Sequence, residues 1–334
     1  MNQKMNRDTF PSPDQNTYME RCLELASLGL GGVQPNPMVG AVIVANGKII
    51  AEGWHRKYGE CHAEIDALRN VKEADRHLLS VSTLYVNLEP CSHTGKTPPC
   101  ADALILAGIP RVVIGNIDPN SKVNGKGVSK LRDAGIEVET AVLEEKCRYL
   151  NRRFFTYHRE KRPYVILKWA QTLDGYMDIE RKEGTVEQYW ITNQELRTIV
   201  HKWRSEEDAI MIGYNTYLHD RPQLTTRYFP GKDPVRFILR RDFSVEPPAG
   251  FHFIPDSVGE ALDRLYEMNI QSVIVEGGFR TIQKFLKEGL WDEARILTGS
   301  QCWGKGLPAP AIPIPSDKGF SVLNNRIEYV RRYV

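Results

Sequence analysis

The sequence predicts an α/β protein of two domains: a three-layer αβα domain over residues 15–150 and a second α/β domain over 163–334. Three observations carry this. The chain has 334 residues, more than one hydrophobic core usually serves and enough for two. Strand-length apolar runs alternate with segments of helical period in both halves, the pattern of layered α/β folds. Between the halves, residues 143–162 mix charge and aromatics (Glu144-Glu145-Lys146, Arg152-Arg153, Arg159-Glu160-Lys161-Arg162) and end at Pro163. That segment reads as a helix running into a linker.

The first domain opens with apolar residues at helical spacing over 18–28, stopping at Gly29. After the loop Gln34-Pro35-Asn36-Pro37, strands 39–44 and 48–51 flank Asn46-Gly47, a two-residue hairpin signal. A helix over 62–71, a strand over 83–88 and a helix opened by Thr97-Pro98-Pro99 follow. Thr97 suits an N-cap and the prolines a first turn; the helix should stop at Gly108. Strand 111–115, helix 128–134 and strand 137–141 complete the domain, and the hairpin makes its sheet mixed. In the second domain, strands 164–169, 209–212, 235–239 and 272–275 alternate with helices 193–204, 257–268 and 281–287.

Composition excludes several function classes. Lys and Arg total 44 against 42 for Asp and Glu, so no global field draws nucleic acid or membrane. A small charged metabolite needs only a local basic pocket. No apolar run approaches the roughly 20 residues of a membrane span. Residues 1–16 are polar with Pro11 and Pro13 and read as a mobile tail, not a secretory signal. Six cysteines in a chain this long do not make a disulfide scaffold, so a cytoplasmic location is expected.

The chemistry concentrates in Cys61-His62-Ala63-Glu64, Glu89-Pro90-Cys91 and Thr97-Pro98-Pro99-Cys100. His62, Cys91 and Cys100 make a three-ligand zinc set with an open fourth position, whereas purely structural zinc usually has four protein ligands. Cys61 is the alternative fourth ligand; it is read instead as a small buried residue, because adjacent residues rarely reach one metal. Both metal-binding cysteines precede or open a helix, so both are expected to ionise readily. Bound zinc lowers the pKa of its water to about 7, and Glu64 is placed to take that proton and deliver it to a leaving amine. Zinc nucleobase deaminases use this grammar. Here, however, eight residues separate Cys91 from Cys100 where two are usual.

That spacing, with Pro35-Asn36-Pro37-Met38-Val39-Gly40, His62-Ala63-Glu64, the run from Leu88 to Cys100 and Asp118-Pro119-Asn120, resembles the deaminase half of the bifunctional riboflavin-biosynthesis enzymes of the RibD type. The resemblance implies a cytidine-deaminase-like fold. It also implies that Asn36, His55, His93, Lys96, Asp118 and Asn120 line a pyrimidine and ribose-phosphate pocket. Lys96 supplies a point charge, and Asn36 both a donor and an acceptor. The plainer alternatives are a solvated loop lysine and an asparagine that only shapes its turn.

No Gly-x-Gly-x-x-Gly follows a strand, so a Rossmann site is not supported. The nearest signal is Val275-Glu276-Gly277-Gly278, between a strand and a helix. Residues 163–334 resemble the reductase half of the same family, which has a dihydrofolate-reductase-like α/β fold and uses NADPH. The matching segments are Lys168 to Gly175, Trp190-Ile191-Thr192, Asn215-Thr216 through Thr225, and Val275 to Gly278. Carried over, Ala170, Trp190, Thr216, Asp220, Gly278, Phe279, Arg280 and Thr281 contact NADPH, and Gln188, Arg204, Leu224, Arg227 and Glu276 contact substrate. Arg204 and Arg227 can grip a phosphate bidentately, and Trp190 can wall a nicotinamide. Arg204 as a solvated helix-end cation near Glu206-Glu207, and Leu173-Asp174-Gly175 as a plain turn, are the alternatives. Two stretches depart from the family: 176–189 is longer and carries Gln188, and Arg240-Arg241 stands where Asp-Ser is common. At least one of that pair, with Arg241 carried as the cofactor residue, is placed to hold the NADPH 2′-phosphate; the alternative is a pair of solvated charges.

The family implies hydrolysis of the 2-amino group of 2,5-diamino-6-ribosylamino-4(3H)-pyrimidinone 5′-phosphate. Reduction of the ribosyl to the ribityl chain then gives 5-amino-6-(5-phosphoribitylamino)uracil. It also implies a homo-oligomer, with no nucleic-acid or membrane partner. The alternative, a nucleic-acid base deaminase with an accessory domain, predicts a basic, aromatic-lined groove that the charge balance does not favour. A zinc-stabilised binding module leaves Glu64 and the Pro-Cys loop unexplained.

Overall fold

The computed structural model describes residues 14–92, 98–121, 123–179 and 189–332. The chain divides after Phe155 into two compact units.

In the first unit, helix α1 (Gln15–Ser27) starts at Asp14, whose Oδ1 accepts from Thr17 N at 2.9 Å, a side-chain N-cap. Strands β1 (Gly40–Ala45) and β2 (Lys48–Trp54) form the expected hairpin. Asn46 and Gly47 both have positive φ (52° and 72°), which the tight right-twisted turn requires. Then come α2 (Ala63–Asn70), β3 (Ser82–Leu88), α3 (Cys100–Leu106), β4 (Arg111–Asn116), α4 (Lys126–Asp133) and β5 (Glu137–Glu139). The sheet order is β2-β1-β3-β4-β5, antiparallel at β2-β1-β3 and parallel from β3 to β5.

The layers follow from strand alternation. Ala41 and Ile43 of β1 face one cluster, with residues of α2, α3 and α4. Val42 and Val44 face the other, with α1 and Cys147 of α5 (Glu144–Leu150). A strand buried on both faces reads as an unbroken apolar run, and β1 is Gly-Ala-Val-Ile-Val-Ala. Close approach sets the seat of α2: a Cβ on Gly53 would lie 2.2 Å from Ala67 N and 2.5 Å from Ala63 O.

The charged stretch 143–162, expected as a helix running into a linker, folds as helix almost throughout, into α5 and α6 (Arg152–Glu160). Its aromatics explain this, since Phe154, Phe155 and Tyr157 are buried. Helix α3 starts at Cys100 with Pro99 as its N-cap; Thr97 lies outside the described residues.

The second unit contains β6 (Tyr164–Gln171), β7 (Tyr176–Asp178), α7 (Gln194–Glu206), β8 (Ala209–Gly213), α8 (Tyr214–Asp220), β9 (Val235–Arg240), β10 (His252–Pro255), α9 (Val258–Glu267), β11 (Ser272–Glu276), α10 (Phe279–Glu288), β12 (Glu293–Thr298), β13 (Leu307–Pro308), β14 (Lys318–Val322) and β15 (Asn325–Arg331). Its main sheet runs β10-β9-β8-β11-β6-β12-β15-β14. The pairings are parallel as far as β12 and antiparallel beyond. Val165, Leu167, Val273 and Val275 face a cluster containing α9 and α10, and Ile166 and Ile274 face one containing α7. The sequence expectation lacked β7, α8, β10 and everything from β12 onward. Those segments carry weak or mixed periodicity, such as Asn-Arg-Ile-Glu-Tyr-Val-Arg in β15, and tertiary pairing decides them.

Candidate active sites

His62 is the N-cap of α2, Cys91 follows β3, and Cys100 is the first residue of α3. The fold thus brings two helix starts and one strand end together. His62 Nδ1 lies 3.6 Å from Cys91 Sγ and 3.3 Å from Cys100 Sγ, and all three ligand atoms fall within 4.8 Å of one another. A tetrahedral zinc puts its N and S donors roughly 3.5–3.8 Å apart, so the donor set fits that ion. Cys61 is outside this cluster and only half-buried; its carbonyl accepts from His55 Nδ1 at 3.0 Å.

The expectation that both cysteines ionise readily is met at one of them. The Cys91 thiol is pulled down to about 4 by hydrogen bonds from Cys100 and His62, against the penalty of burial. Cys100 is held well above its ordinary value by the Cys91 sulfur beside it and by burial. A divalent cation between them would reverse the second effect, because coordination deprotonates a thiol. Hydrogen bonding to Cys91 likewise lifts His62 to about 9. Glu64 is 3% exposed, and burial pushes its carboxyl up to about 7 against the pull of the His62 charge. It is poised to hold or release a proton near neutrality.

Around this cluster, His55 is buried and its ring stands edge-on to His62, 5.5 Å between centroids. A carbonyl only accepts, so His55 Nδ1 carries the proton, and Nε2 is left to accept from Asn36 Nδ2 at 3.1 Å. Asn36 keeps its carbonyl and its second N–H for a ligand. Asp118 is buried, its carboxyl pushed up to about 6 by burial, and its Oδ1 accepts from Asn120 N at 2.8 Å. His93 and Lys96 lie outside the described residues.

In the second unit, one cavity of about 1350 Å³ gathers every described reductase candidate. Ala170, Trp190, Thr216, Asp220, Arg241 and Gly278 to Thr281 line it, as do Arg204, Leu224, Arg227 and Glu276. Gln188 lies outside the described residues. The cavity opens at the carboxyl ends of β6, β8, β9 and β11, where open α/β sheets bind ligands. Gly278 caps α10 and its N–H donates to Thr216 Oγ1 at 2.9 Å. Gly213 lets β8 reach α10, since a Cβ there would lie 2.4 Å from Thr281 Oγ1. Leu224 is buried in the left-handed region (φ 55°), a strained conformation of the kind that collects at ligand sites.

Arg204 is not a solvated helix-end cation. Its Nε and Nη2 hold the two Glu276 oxygens at 3.2 and 2.9 Å, and Nη1 donates to Thr225 O at 3.2 Å. Its fork is thus given to a carboxylate, while Arg227 sits nearer solvent, bonded to Gln223 and Thr225 Oγ1 at 2.6 and 2.7 Å. Lys168 Nζ is 3.6 Å from Glu276. Burial would raise the Glu276 carboxyl, but Arg204 and Lys168 more than offset that and hold it at about 2. Trp190 is 55% exposed and stacks on Arg197. Leu173-Asp174-Gly175 does form a turn, in which Asp174 accepts from Trp303 N and Gly304 N. Arg240 lies over the Tyr214 and Phe253 rings at 4.3 and 5.0 Å. Arg241 is exposed and pairs with Asp256 at 3.0 Å, a carboxylate that also holds Lys284 at 2.6 Å.

Sequence reasoning missed three residues. Lys168 stood inside a matched motif, and Glu89 beside Cys91. His201 had no signal: it is a buried cavity residue whose Nδ1 accepts from Tyr228 N at 3.3 Å, and burial with Arg204 and Arg227 lowers it to about 4.

Comparison with known proteins covers both units. Residues 163–332 match the family described as RibD C-terminal domain, and residues 12–116 the cytidine and deoxycytidylate deaminase zinc-binding region. A riboflavin biosynthesis protein RibD of Aquifex aeolicus is 40% identical over 352 aligned positions, covering 94% of this chain and 95% of that protein. Among solved structures, a Thermotoga maritima diaminohydroxyphosphoribosylaminopyrimidine deaminase/5-amino-6-(5-phosphoribosylamino)uracil reductase superposes with a TM-score of 0.84 at 38% identity, covering 95% of this chain and 98% of its own. Acinetobacter baumannii RibD gives 0.84 at 32% identity with the same coverage.

Proposed function

Because this chain belongs to the RibD family of riboflavin-biosynthesis proteins, we propose a residue-level division of labour between its two sites. The chain is a bifunctional deaminase/reductase acting on the pyrimidine intermediate of riboflavin biosynthesis. The observation that carries the reading is a three-ligand metal cluster with a buried carboxyl, Glu64, two residues from one ligand.

In the first unit, His62 Nδ1 and the sulfurs of Cys91 and Cys100 hold zinc. When bound, the ion supplies Lewis acidity and a water acidic enough to attack at neutral pH. Glu64 takes one proton from the attacking water and gives it to the ring nitrogen of the attacked C=N bond, then carries the second from the new hydroxyl to the 2-amino group, which leaves as ammonia while a carbonyl forms at the same ring carbon. Asn36, His55, His93, Lys96, Asp118 and Asn120 bind and orient the substrate, 2,5-diamino-6-ribosylamino-4(3H)-pyrimidinone 5′-phosphate.

In the second unit, Ala170, Trp190, Thr216, Asp220, Arg241 and the start of α10 hold NADPH, which when bound supplies a hydride for the ribosyl C1. The cavity volume and its cationic rim support that choice. Arg227 meets the substrate phosphate at the rim, Leu224 contacts the substrate from the cavity wall, and Gln188 is a further substrate contact that the family resemblance implies. Arg204 fixes Glu276 and, with Lys168, keeps it charged. The product is 5-amino-6-(5-phosphoribitylamino)uracil.

The test follows both reactions in one vessel. Ammonia release should precede NADPH oxidation and equal it in amount with the diamino substrate, and should be absent with oligonucleotides. NADPH oxidation without ammonia release would remove the deaminase assignment, and ammonia release without oxidation the reductase assignment.

A further inference from the structure

Glu89 stands at the end of β3, two residues before Cys91, and the chemistry above does not use it. It is 4% exposed, and its carboxylate accepts four backbone N–H groups. Oε2 takes those of Asp118 (3.1 Å) and Gly125 (2.9 Å); Oε1 takes those of Gly127 (2.8 Å) and Val128 (3.2 Å). Three of these donors open α4, whose N-cap is Gly125, a residue with no side chain to cap with. The first amides of a helix have no partner within it. Glu89 provides one from another element, with its charge at the favourable end of the helix. The approach is close, since a Cβ on Gly127 would lie 2.1 Å from Pro90 O. The fourth bond fixes Asp118, whose own carboxylate holds Asn120 N at 2.8 Å.

We propose that Glu89 is a positioning residue for the deaminase pocket: it ties the segment carrying Asp118 and Asn120 to the turn that carries Cys91, and so sets where the pyrimidine lies relative to the metal ligands. The inference rests on Asp118 and Asn120 being pocket residues. Glu89 adds nothing to the ligand set, which is complete without it. Its removal should therefore affect substrate more than metal.

Glu89→Gln keeps the shape but turns an NH₂ donor toward two of the four amides. In the full-length, zinc-loaded protein the variant should retain its metal and its reductase kinetics. Its KM for the diaminopyrimidine phosphate should rise roughly ten- to a hundredfold, with a smaller change in kcat. Amides 125–128 should exchange with solvent faster. Asp118→Asn, measured alongside, should also raise KM. A wild-type KM in Glu89→Gln with a raised KM in Asp118→Asn overturns the inference alone. A wild-type KM in Asp118→Asn overturns the pocket reading and the inference with it. Loss of zinc in Glu89→Gln also overturns the inference, because the residue would then support the metal turn.

Discussion

At the scale of single residues, the metal cluster gives the sharpest expectations. Glu64→Gln should keep its zinc and lose about 10²–10⁴ in deamination rate, the usual worth of a positioned acid–base group. Reduction of pre-deaminated substrate by the same chain should survive. Full deamination in that variant would place the proton shuttle elsewhere. His62→Ala, Cys91→Ser and Cys100→Ser should each release zinc while Cys61→Ser keeps it, because only the first three offer converging ligand atoms; metal analysis of the four proteins decides. In the second unit, pH acts through two depressed groups. His201 sits at about 4 against an ordinary 6.5, and Glu276 at about 2 against 4.5. In both cases the unfolded chain binds the proton more readily. The His201 contribution is full above 6.5 and is lost as pH falls to 4; the Glu276 contribution is full above 4.5 and is lost towards 2. Glu64 and Asp118, raised to about 7 and 6, act in the opposite sense over the same window, so the readout is a difference: in thermal melts from pH 6.5 to 4, the wild type should lose more stability, or gain less, than His201→Gln. An unchanged slope in the variant would assign the pH dependence to other groups.

At the scale of elements, both sites depend on how closely helices sit on strands. Gly53→Ala places a methyl 2.2 Å from Ala67 N, so α2 must move, and with it His62 and Glu64. Overpacking of this kind costs about 1–3 kcal/mol. The expected result is a lower melting temperature and impaired deamination with reduction intact; wild-type values in both would mean that α2 shifts freely. The end of β9 bears on cofactor choice. Arg240 is fixed over two rings and Arg241 projects into solvent near Asp256. A charge-assisted contact to the 2′-phosphate is worth about 1.5–3 kcal/mol, so losing one should weaken NADPH roughly ten- to a hundredfold and leave NADH unchanged. Titrating both cofactors into Arg240→Ala and Arg241→Ala checks this. An unaltered ratio in both variants would mean that selectivity lies at other residues.

At the scale of the whole molecule, each compact unit holds a candidate site of its own among the described residues. An equimolar mixture of Glu64→Gln and Glu276→Gln chains should therefore carry the diamino substrate through both steps, the first by one chain and the second by the other. Failure of the mixture, with each variant active in its surviving step, would show that the intermediate must stay on one chain.

The sequence by itself pointed to the converging His62, Cys91 and Cys100, to the carboxyl of Glu64 beside them, and to the layered α/β plan. These are local in sequence: His62 and Glu64 open one helix, Cys100 opens another, and β1 is an apolar run that only a doubly covered strand tolerates. The tertiary structure decided what depends on distant partners. Arg204 reads as a phosphate-gripping substrate contact, with a solvated cation as the alternative, until Glu276 is found against it, 72 residues on. Segment 143–162 reads as a helix running out into a linker, and the helix continues to Glu160 because Phe154 and Phe155 find a core. Glu89 reads as an ordinary motif residue until four amides 29 to 39 residues away converge on its carboxylate. A buried charge must be satisfied wherever the fold brings donors to it, and no local pattern in the chain records that place.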